Sequence, residues 1–357
     1  MMNLSKYIGN RDNNFNLIRL LSSIAVLVSH GFALIAGTGN AEPLRMEYGM
    51  TPGTLAVDVF FVTSGYLVTT SLFRKKNLIE YFVSRLLRII PGLFVMLLIV
   101  VFGIGLCVTS FGWRDYISSN ATYVYIAKSL TMVSGVGQYL PGVFNENPYK
   151  GAVNGSLWTL TYEVFMYFLL ALTWFLGLIF GLNEKFLKKI IVMYAAAALI
   201  YSILSFELGE KSKVANLIYM FFAGGSYYVL SRRIELSIRL LVISLSCLLA
   251  SFAINNLYYE ACLLFLPYIV ICVAYIPDIK LIKKYNIFGD YSYGIYIYSF
   301  PLQQLILWMN PGVSLIEFLF YSVNAAVVVS IFSWELVEKR AMSKKDILIK
   351  KINCRYD

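Results

Sequence analysis

Apolar stretches alternate with short polar segments along the whole chain. Ten of these stretches approach or exceed the roughly 20 residues that an α-helix needs to cross the apolar core of a bilayer. Their approximate bounds are 16–37, 54–73, 86–109, 156–180, 188–206, 214–230, 238–255, 258–276, 288–309 and 314–336. The pattern predicts an all-α, polytopic integral membrane protein with about ten transmembrane helices.

The composition and the placement of charge support a membrane location. The 357 residues are 59% hydrophobic and 14% charged, whereas about 25% of residues are charged in soluble domains. The net charge of +10 is distributed over short basic clusters between the apolar stretches. Cytoplasmic loops of membrane proteins have this pattern, so we expect contact with membrane lipids and no nucleic-acid partner.

The basic clusters also predict the orientation of the chain. They fall on every second connection and comprise Lys6, Arg11, Arg74, Lys75, Lys76, Arg85, Arg88, Lys185, Lys188, Lys189, Arg232, Arg233, Arg239, Lys280, Lys283, Lys284 and the lysines of the tail. By the positive-inside rule, these connections and both termini are expected in the cytoplasm, in a multi-pass protein of the inner or plasma membrane. Residues 1–340 form one predicted transmembrane domain, and 341–357 form a basic cytoplasmic tail.

One predicted external connection, at about 110–155, is too long for a simple turn. We expect it to hold a short helix or a lid of its own. Its Trp and Tyr residues are Trp113, Tyr116, Tyr123, Tyr125, Tyr139 and Tyr149. Such rings can stack on sugar faces, but anchoring at the membrane interface is the favoured interpretation.

Signatures of several soluble enzyme classes are missing. The sequence contains no Walker-type loop, no Gly-x-Ser-x-Gly elbow and no clustered metal ligands, and it has a single histidine. We therefore expect no metal. The cysteines have neither disulfide nor metal-site spacing and are interpreted as small apolar side chains; they are Cys107, Cys247, Cys262, Cys272 and Cys354.

The single histidine, His30, lies in the first apolar stretch together with Arg19. Their spacing corresponds to about three helical turns, which places both side chains on one face, roughly 16 Å apart along the axis. Ser23 falls near the same stripe. Ionisable groups inside a membrane cost several kcal/mol and need a partner or a function.

Two further polar groups are expected near the outer ends of helices. Asp58 enters the second predicted helix, in which Ser64 and Gly65 follow, and Glu163 lies in the fourth. Glu163 is predicted about 10 Å deep, at the same depth as His30. Either a structural hydrogen bond between helices or catalysis and proton transfer explains such a pair, and the second is favoured. For Gly65, close helix packing is at least as good an explanation as substrate contact.

A basic pair is predicted at the cytoplasmic start of the third helix. Arg85 and Arg88 lie on one face and Pro91 follows them. Paired guanidinium groups at a helix N-terminus suit bidentate binding of phosphate. An ordinary positive-inside pair or a lipid headgroup site is slightly favoured by the pair alone.

Near the end of the chain, polar groups lie on the ninth and tenth predicted helices. The ninth carries Tyr291, Tyr293, Tyr296, Tyr298, Gln303 and Gln304. Pro301 is expected to kink this helix and to free carbonyls that need polar partners. Glu335 and Glu338, at the end of the tenth, are interpreted as solvated or salt-bridged groups rather than catalysts.

Five segments, in this order, resemble motifs of the membrane-bound acyltransferase-3 family. They are NFNLIRLLSSIAVLVSHGF, with Arg and His at the ends of an Arg-x10-His spacing, VDVFFVTSGYLV, SRLLRIIP, SLWTLTYEVFMY and SYGIYIYSFP. The resemblance spans roughly 14–339. Each motif alone is weak, but the ordered set is specific.

The resemblance implies ten core helices and an O-acyltransferase that moves an acyl group, by default acetyl, from cytoplasmic acyl-CoA to a carbohydrate hydroxyl. The acceptor would be a polysaccharide, a lipopolysaccharide or a lipid-linked glycan, and no cofactor would be bound permanently. By this resemblance, His30 and Glu163 would be catalytic, and Arg19, Arg85 and Arg88 would bind acyl-CoA. The expected supporting or acceptor-site residues are Asp58, Ser64, Trp158 and Tyr162.

The sequence departs from the family pattern at two places. No SGNH-type domain follows the last predicted helix, so we expect the membrane domain, or a separate partner, to complete the transfer. Ser299 stands where many relatives carry a histidine before the aromatic-proline pair. The resemblance therefore assigns no role to this position.

Two other classes of function compete with the enzyme. A transporter or flippase would use His30 and Glu163 as a proton relay, and it would need no acyl-CoA. A membrane sensor or scaffold would not need His30. Within the enzyme hypothesis, His30 acts either as a general base or as an acyl carrier, and the two routes stay open at this stage.

Overall fold

The computed structural model describes residues 2–10, 12–253, 257–276, 285–287 and 289–353. Several residues used in the sequence interpretation lie outside the described residues, namely Arg11, Lys280, Lys283, Lys284 and Cys354.

Helices dominate the described part of the chain, as the apolar pattern predicts. The long helices are α1 Phe15–Ala36, α2 Pro52–Lys75, α3 Leu78–Leu98, α6 Trp158–Ile179, α7 Glu184–Glu207, α8 Lys213–Val229, α9 Ile238–Ser251, α10 Tyr258–Tyr275, α11 Ser292–Met309 and α12 Leu315–Ser333. Shorter helices are α4 Trp113–Ser118, α5 Asn120–Thr131 and α13 Lys345–Asn353. Two-residue strands β1 Met2–Asn3 and β2 Glu235–Leu236 pair antiparallel. The predicted all-α fold is confirmed.

Each of the ten predicted spans overlaps one of the long helices. Within the described residues, seven helical segments are long and apolar enough to cross a membrane, including α3 with its continuation to Val108. The segments α8 and α9 are shorter, at 17 and 14 residues, and tyrosines and glutamines interrupt the apolar character of α11. The polytopic membrane character is confirmed, while the count of ten crossings and the orientation stay predictions.

The start of the third helix differs from the prediction. Helix α3 begins at Leu78, about two turns before the expected start at 86. Arg85 and Arg88 therefore lie inside the helix, and Glu80 occupies its first turn. The prediction of a guanidinium pair at a helix N-terminus is wrong, because the mixed sequence before Arg85 is amphipathic enough to be helical. Pro91 lies within the helix and does not end it.

The long helices divide between two compact units. The first comprises Met1–Arg19, Val57–Leu78 and Tyr162–Gly289, and the second comprises Leu20–Ala56, Ile79–Thr161 and Asp290–Asp357. The second unit contains the predicted external segment, where α4 and α5 provide the short helices expected between 110 and 155.

In the first unit, glycines allow two helix backbones to approach closely. A Cβ atom on Gly65 of α2 would lie 1.8 Å from the carbonyl oxygen of Phe221 in α8. Reciprocally, a Cβ atom on Gly224 of α8 would lie 2.1 Å from the carbonyl oxygen of Val62 in α2. Small residues at helix crossings are a common packing device in membranes. The packing interpretation of Gly65 is confirmed.

In the second unit, α1, α11 and α12 share apolar clusters. One buried cluster joins Leu27, Ile295 and Ala326, and another joins Leu34 and Phe300 with neighbouring residues. A polar side chain also fastens α11 to α1, because the Gln303 amide donates to the carbonyl of Leu27 at 3.0 Å. These contacts hold the part of α1 that carries His30 against α11.

Prolines inside helices leave carbonyls that side chains satisfy. Pro301 has no N–H, so the carbonyl of Ile297, four residues earlier, has no helical donor; the Asn154 amide donates to it at 2.9 Å. In the first unit, Pro267 leaves the carbonyl of Leu263, and the hydroxyl of Tyr219 donates to it at 2.8 Å. The expected polar partner near Pro301 is confirmed.

Candidate functional site

His30 lies in α1 within the second unit, with a hydroxyl beside its ring. Its Nδ1 atom is 3.3 Å from Oγ of Ser156, and its ring makes an edge contact with Phe300 at 5.7 Å between centroids. If Ser156 donates to Nδ1, the ring proton is on Nε2; if Ser156 accepts from Nδ1–H, Nε2 is the free base. Either way, Ser156 selects the ring orientation that presents Nε2.

Ser156 is itself held in place just before α6. Its N–H donates to Oδ1 of Asn154 at 3.2 Å, and its carbonyl accepts from the hydroxyl of Tyr296 at 2.6 Å. Thr159 and Tyr296 also share a hydrogen bond between their hydroxyl groups. Because Asn154 binds the carbonyl that Pro301 leaves free, the segment carrying Ser156 is tied to α11 at several points. A hydroxyl held this way can keep the imidazole of His30 in one orientation.

The carboxylate of Glu42 contacts Ser29, the residue that precedes His30. The hydroxyl of Ser29 donates to Oε2 of Glu42 at 2.5 Å, and Arg45 pairs with Oε1 of Glu42 at 2.7 Å. Glu42 is 7% exposed. The short segment after α1 therefore holds a charged pair close to the histidine.

Glu163 lies in α6 within the first unit, in a cluster of hydroxyl groups. Its Oε1 atom accepts hydrogen bonds from Ser64, at 2.6 Å, and from Tyr167. The two hydroxyl groups are 2.7 Å apart. The structure thus brings together Glu163 and Ser64, to which the family resemblance gives different roles. The pairing of Glu163 with His30 stays a prediction.

Two more candidate residues come from the segment SLWTLTYEVFMY and lie on the same helix as Glu163. Trp158 is the first residue of α6 in the second unit, and Tyr162 precedes Glu163 in the first unit. Both are partly buried. Their roles at a supporting or acceptor site stay predictions.

Asp58 takes part in a buried polar cluster of the first unit. Its Oδ1 atom accepts from the side-chain amide of Asn216 at 2.6 Å. Burial lowers the pKa of the nearby Lys211 to about 8, and the carboxylate of Asp58 opposes this shift. The ammonium of Lys211 also lies over the ring of Tyr259, 4.6 Å from its centroid. These contacts suit a structural or orienting role.

Arg88 is surrounded by carboxylates and aromatic rings of the second unit. Its guanidinium pairs with Asp290 at 2.5 Å and lies 3.8 Å from Glu338. It also lies 5.7 Å from the ring centroids of both Tyr293 and Trp334. Buried charges need such partners.

The two glutamates at the end of α12 differ in their surroundings. Glu338 lies in the π-helical segment Trp334–Glu338, is 1% exposed and accepts from Ser333. Its salt bridge with Arg88 confirms one of the two expected environments. Glu335 is exposed and pairs with Lys339 at 2.7 Å, which also agrees with the expectation.

The other two arginines of the predicted donor site lie on different helices. Arg85 is partly buried in α3. Arg19 lies in α1, and its guanidinium is 5.9 Å from the ring centroid of Phe60 in the first unit. Binding of acyl-CoA by the three arginines stays a prediction.

Sequence reasoning missed several of the groups around these candidates. Ser156, Asn154, Glu42 and Tyr167 were not singled out. The polar triplet Asn154 to Ser156 directly before an apolar helix was an available signal, although it is also typical of ordinary helix capping. Tyr167 lies one turn after Glu163 in α6 and therefore on the same face.

Comparison with known proteins gives a consistent picture. A family model described as an acyltransferase domain matches residues 12–334. An O-acetyl transferase of Shigella phage Sf6 is 26% identical over 344 residues, which cover 94% of this chain and 97% of that protein. Nodulation protein 10 of Rhizobium leguminosarum bv. viciae is 32% identical over 163 residues, covering 43% of this chain and 42% of that protein. No solved structure shows a significant match.

Proposed function

Because this chain belongs to the acyltransferase family whose model spans residues 12–334, and is therefore an acyltransferase, we propose that it O-acetylates a carbohydrate with acyl-CoA as donor. The acceptor is a hydroxyl of a polysaccharide, a lipopolysaccharide or a lipid-linked glycan. Acetyl-CoA is a co-substrate, and the reaction needs no permanently bound cofactor. The protein acts in the inner or plasma membrane.

One observation carries the proposal. The single histidine lies within an apolar helix, and Nδ1 of its ring faces the anchored hydroxyl of Ser156. A neutral, oriented imidazole is the usual general base near neutral pH. The match over nearly the full length of the Sf6 O-acetyl transferase supports acetyl as the transferred group.

Two routes lead from this imidazole to the product. In the first, Nε2 of His30 takes the proton of the acceptor hydroxyl while its oxygen attacks the thioester carbonyl; the C–S bond breaks, and the imidazolium returns the proton to the CoA thiolate. In the second, Nε2 attacks the thioester carbonyl and the C–S bond breaks, which leaves the acetyl group on Nε2 and releases a CoA thiolate; the oxygen of the acceptor hydroxyl then displaces the acetyl group from Nε2, and its proton passes to the thiolate. Both routes yield one ester and one free CoA thiol.

Glu163 supports the reaction in this proposal through its carboxylate. Its negative charge would favour a cation that forms during proton transfer. The hydroxyl groups of Ser64 and Tyr167 hold its Oε1 atom in place. The same carboxylate can alternatively accept a hydrogen bond from the sugar.

The donor site is proposed around the arginines. The contacts of Arg88 with Asp290 and Glu338 balance its charge within the protein. We therefore assign Arg88 as a residue that positions α3, and we propose Arg85 as a phosphate contact on the ground of the SRLLRIIP motif that this chain shares with the family. Arg19 would contact the donor on its path along α1.

The proposal is tested with His30→Ala and Glu163→Ala. Acceptor acetylation is followed by mass spectrometry of surface glycans, with the amount of protein in the membrane held equal. We expect His30→Ala to abolish the acetyl-sized mass difference and Glu163→Ala to reduce it at least tenfold. Normal acetylation by the His30→Ala variant would refute the proposed mechanism. Acetyl trapped on the wild-type protein in the absence of acceptor would select the carrier route.

The arginine assignments predict different effects for two neighbouring positions. Arg85→Ala should raise KM for acetyl-CoA about tenfold, because it removes one charge-assisted phosphate contact. Arg88→Ala should destabilise the protein by about 3–5 kcal/mol, since two buried carboxylates lose their partner. Steady-state kinetics and thermal unfolding of the purified protein separate the two. Equal effects of both variants on KM would contradict the division of roles.

The transporter or flippase alternative makes opposite predictions. It requires no acyl-CoA and yields no modified glycan, whereas an acyltransferase consumes the donor and releases a thiol. Detection of free CoA in proportion to glycan acetylation distinguishes the classes. The family match favours the enzyme.

A further inference from the structure

The first unit contains an open cleft with a volume of about 1210 Å³. It is formed by the N-terminal segment, the start of α7, the end of α8 and the turn that follows α8. The N-terminal segment is held by the pairing of β1 with β2 and by a hydrogen bond from the N–H of Ser5 to the carbonyl of Ser231 at 3.1 Å. The cleft therefore has walls that are tied together along the backbone.

Positive charge dominates the lining of this cleft. Its basic side chains are Lys185, Lys188, Lys189, Arg232 and Arg233, and its acidic side chain is Glu184. Glu184 pairs with Lys188 and with Lys76, each at 2.7 Å. This leaves the exposed Lys185, Lys189, Arg232 and Arg233 to give the cleft a positive field, which favours an anionic ligand.

The part of α7 beyond these lysines adds apolar side chains to the cleft. Val192 and Met193 line it one to two turns beyond the lysines, and Met193 is 65% exposed. Helix α7 is one of the segments apolar enough to cross a membrane. A ligand in the cleft therefore meets cations at the start of α7 and apolar side chains one to two turns further along the same helix, which matches an amphiphile with an anionic head.

A nucleotide fits the lining less well. Base recognition relies on stacking against an aromatic face, and Tyr228 is the aromatic residue of the cleft lining. The ammonium of Lys188 lies over that ring, 5.7 Å from its centroid. One face of that ring is thus already covered by a cation.

We infer that this cleft binds the phosphate headgroup of an anionic phospholipid, with the first part of its acyl chains against Val192 and Met193. Basic pockets between transmembrane helices are known binding places for such headgroups. The inference goes beyond the proposed acyl transfer, and no step of that reaction uses these residues.

The test measures lipid retention by the purified full-length protein. The protein is incubated in detergent with equal amounts of phosphatidylglycerol and phosphatidylcholine, and retained lipids are counted by native mass spectrometry. We expect the wild type to retain phosphatidylglycerol preferentially. The double variant Lys189→Ala with Arg233→Ala should reduce this retention about tenfold or more, because each cation near a headgroup contributes substantially to binding.

Two further variants control for net charge and for folding. Arg239→Ala with Lys350→Ala removes two exposed positive charges outside the cleft and should retain phosphatidylglycerol as the wild type does. Lys189→Arg with Arg233→Lys keeps both charges in the cleft and should also retain it. An equal loss in the outer variant, or loss in the charge-conserving variant, would overturn the inference.

A second arm separates the lipid from the CoA phosphates. Acetyl-CoA binding is measured for the same proteins, and the cleft variant should bind it as the wild type does. Loss of acetyl-CoA binding in the cleft variant would assign the cleft to the acyl donor and overturn the lipid assignment. Equal retention of the two lipids by the wild type would also overturn it.

Discussion

At the scale of single residues, the chemistry of His30 depends on neighbours that the chain supplies from distant positions. Ser156 faces Nδ1 of the ring, and Tyr296 holds the backbone of Ser156. An imidazole with one nitrogen engaged presents the other in a defined direction. Ser156 is therefore a positioning residue in the proposed reaction.

This role predicts that Ser156→Ala lowers kcat for acetyl transfer roughly tenfold, with KM for acetyl-CoA changed less than about twofold. The variant removes the hydrogen bond to Nδ1 but leaves the backbone contacts. Steady-state kinetics over a range of pH should also show a shifted profile, because the imidazole loses a partner. Ser156→Thr keeps a hydroxyl and should restore most of the turnover.

A matched control is Ser330→Ala, since Ser330 is equally buried in the second unit and donates only to a backbone carbonyl of its own helix. That variant should keep wild-type kinetics. If Ser156→Ala turned over at the wild-type rate, the positioning role would be refuted.

At the scale of elements, the prolines inside helices explain why particular polar side chains are buried. Pro301 and Pro267 each remove one helical hydrogen bond, and Asn154 and Tyr219 satisfy the carbonyls left behind. A carbonyl without a donor cannot be satisfied by lipid. These contacts therefore both stabilise the helices and join them to neighbouring segments of their own unit.

The hydrogen bond from Asn154 to the carbonyl left free by Pro301 predicts that substitutions of these two residues have coupled effects on stability. Asn154→Ala should lower the free energy of unfolding by about 1–3 kcal/mol, because the carbonyl of Ile297 loses its donor. In a Pro301→Ala background the helix supplies its own N–H to that carbonyl. Asn154→Ala should therefore lower the free energy of unfolding clearly less in this background. Denaturant unfolding of the four proteins in detergent gives the coupling energy.

The second proline offers an independent comparison. Tyr219→Phe should be less costly in a Pro267→Ala background, for the same reason. Equal costs of Asn154→Ala in both of its backgrounds would show that the amide does not serve the proline-freed carbonyl.

At the scale of the whole molecule, the distribution of basic residues predicts how the chain crosses the membrane. The helices observed at all ten predicted positions are compatible with the alternation of basic and less basic connections. The rule that cytoplasmic loops are basic then places both termini and the segment around Gly181 in the cytoplasm. It places the segment 110–155 on the opposite side.

Reporter fusions in a bacterial host test this orientation. A fluorescent protein that matures only in the cytoplasm should fluoresce after Asp357 and when inserted at Gly181. Alkaline phosphatase, which is active only outside the cytoplasm, should be active when inserted after Val133, an exposed loop residue. Phosphatase activity at Gly181 would reverse the predicted topology.

Much of the architecture of this protein, and its family, can be predicted from its sequence alone. The positions of the helices, the membrane character and the family follow from apolar length and from ordered motifs, since a bilayer forces each crossing segment to satisfy its own backbone. The packing role of Gly65 and the polar partner near Pro301 were also predicted correctly, because both follow from local covalent chemistry. The predicted start of α3 was about two turns too late. The first residues of this helix are amphipathic, and a search for long apolar stretches does not include them.

Only the tertiary structure decided which side chains meet. The hydrogen bond between Ser156 and His30, the carboxylates around Arg88 and the hydrogen bond from Ser64 to Glu163 all join residues far apart in the chain. Helical periodicity fixes the face on which a residue lies, but it contains no information on which helix packs against that face. That choice depends on the summed packing, hydrogen bonding and charge balance of each unit, so the partners of His30, Arg88 and Glu163 appear only in the folded molecule.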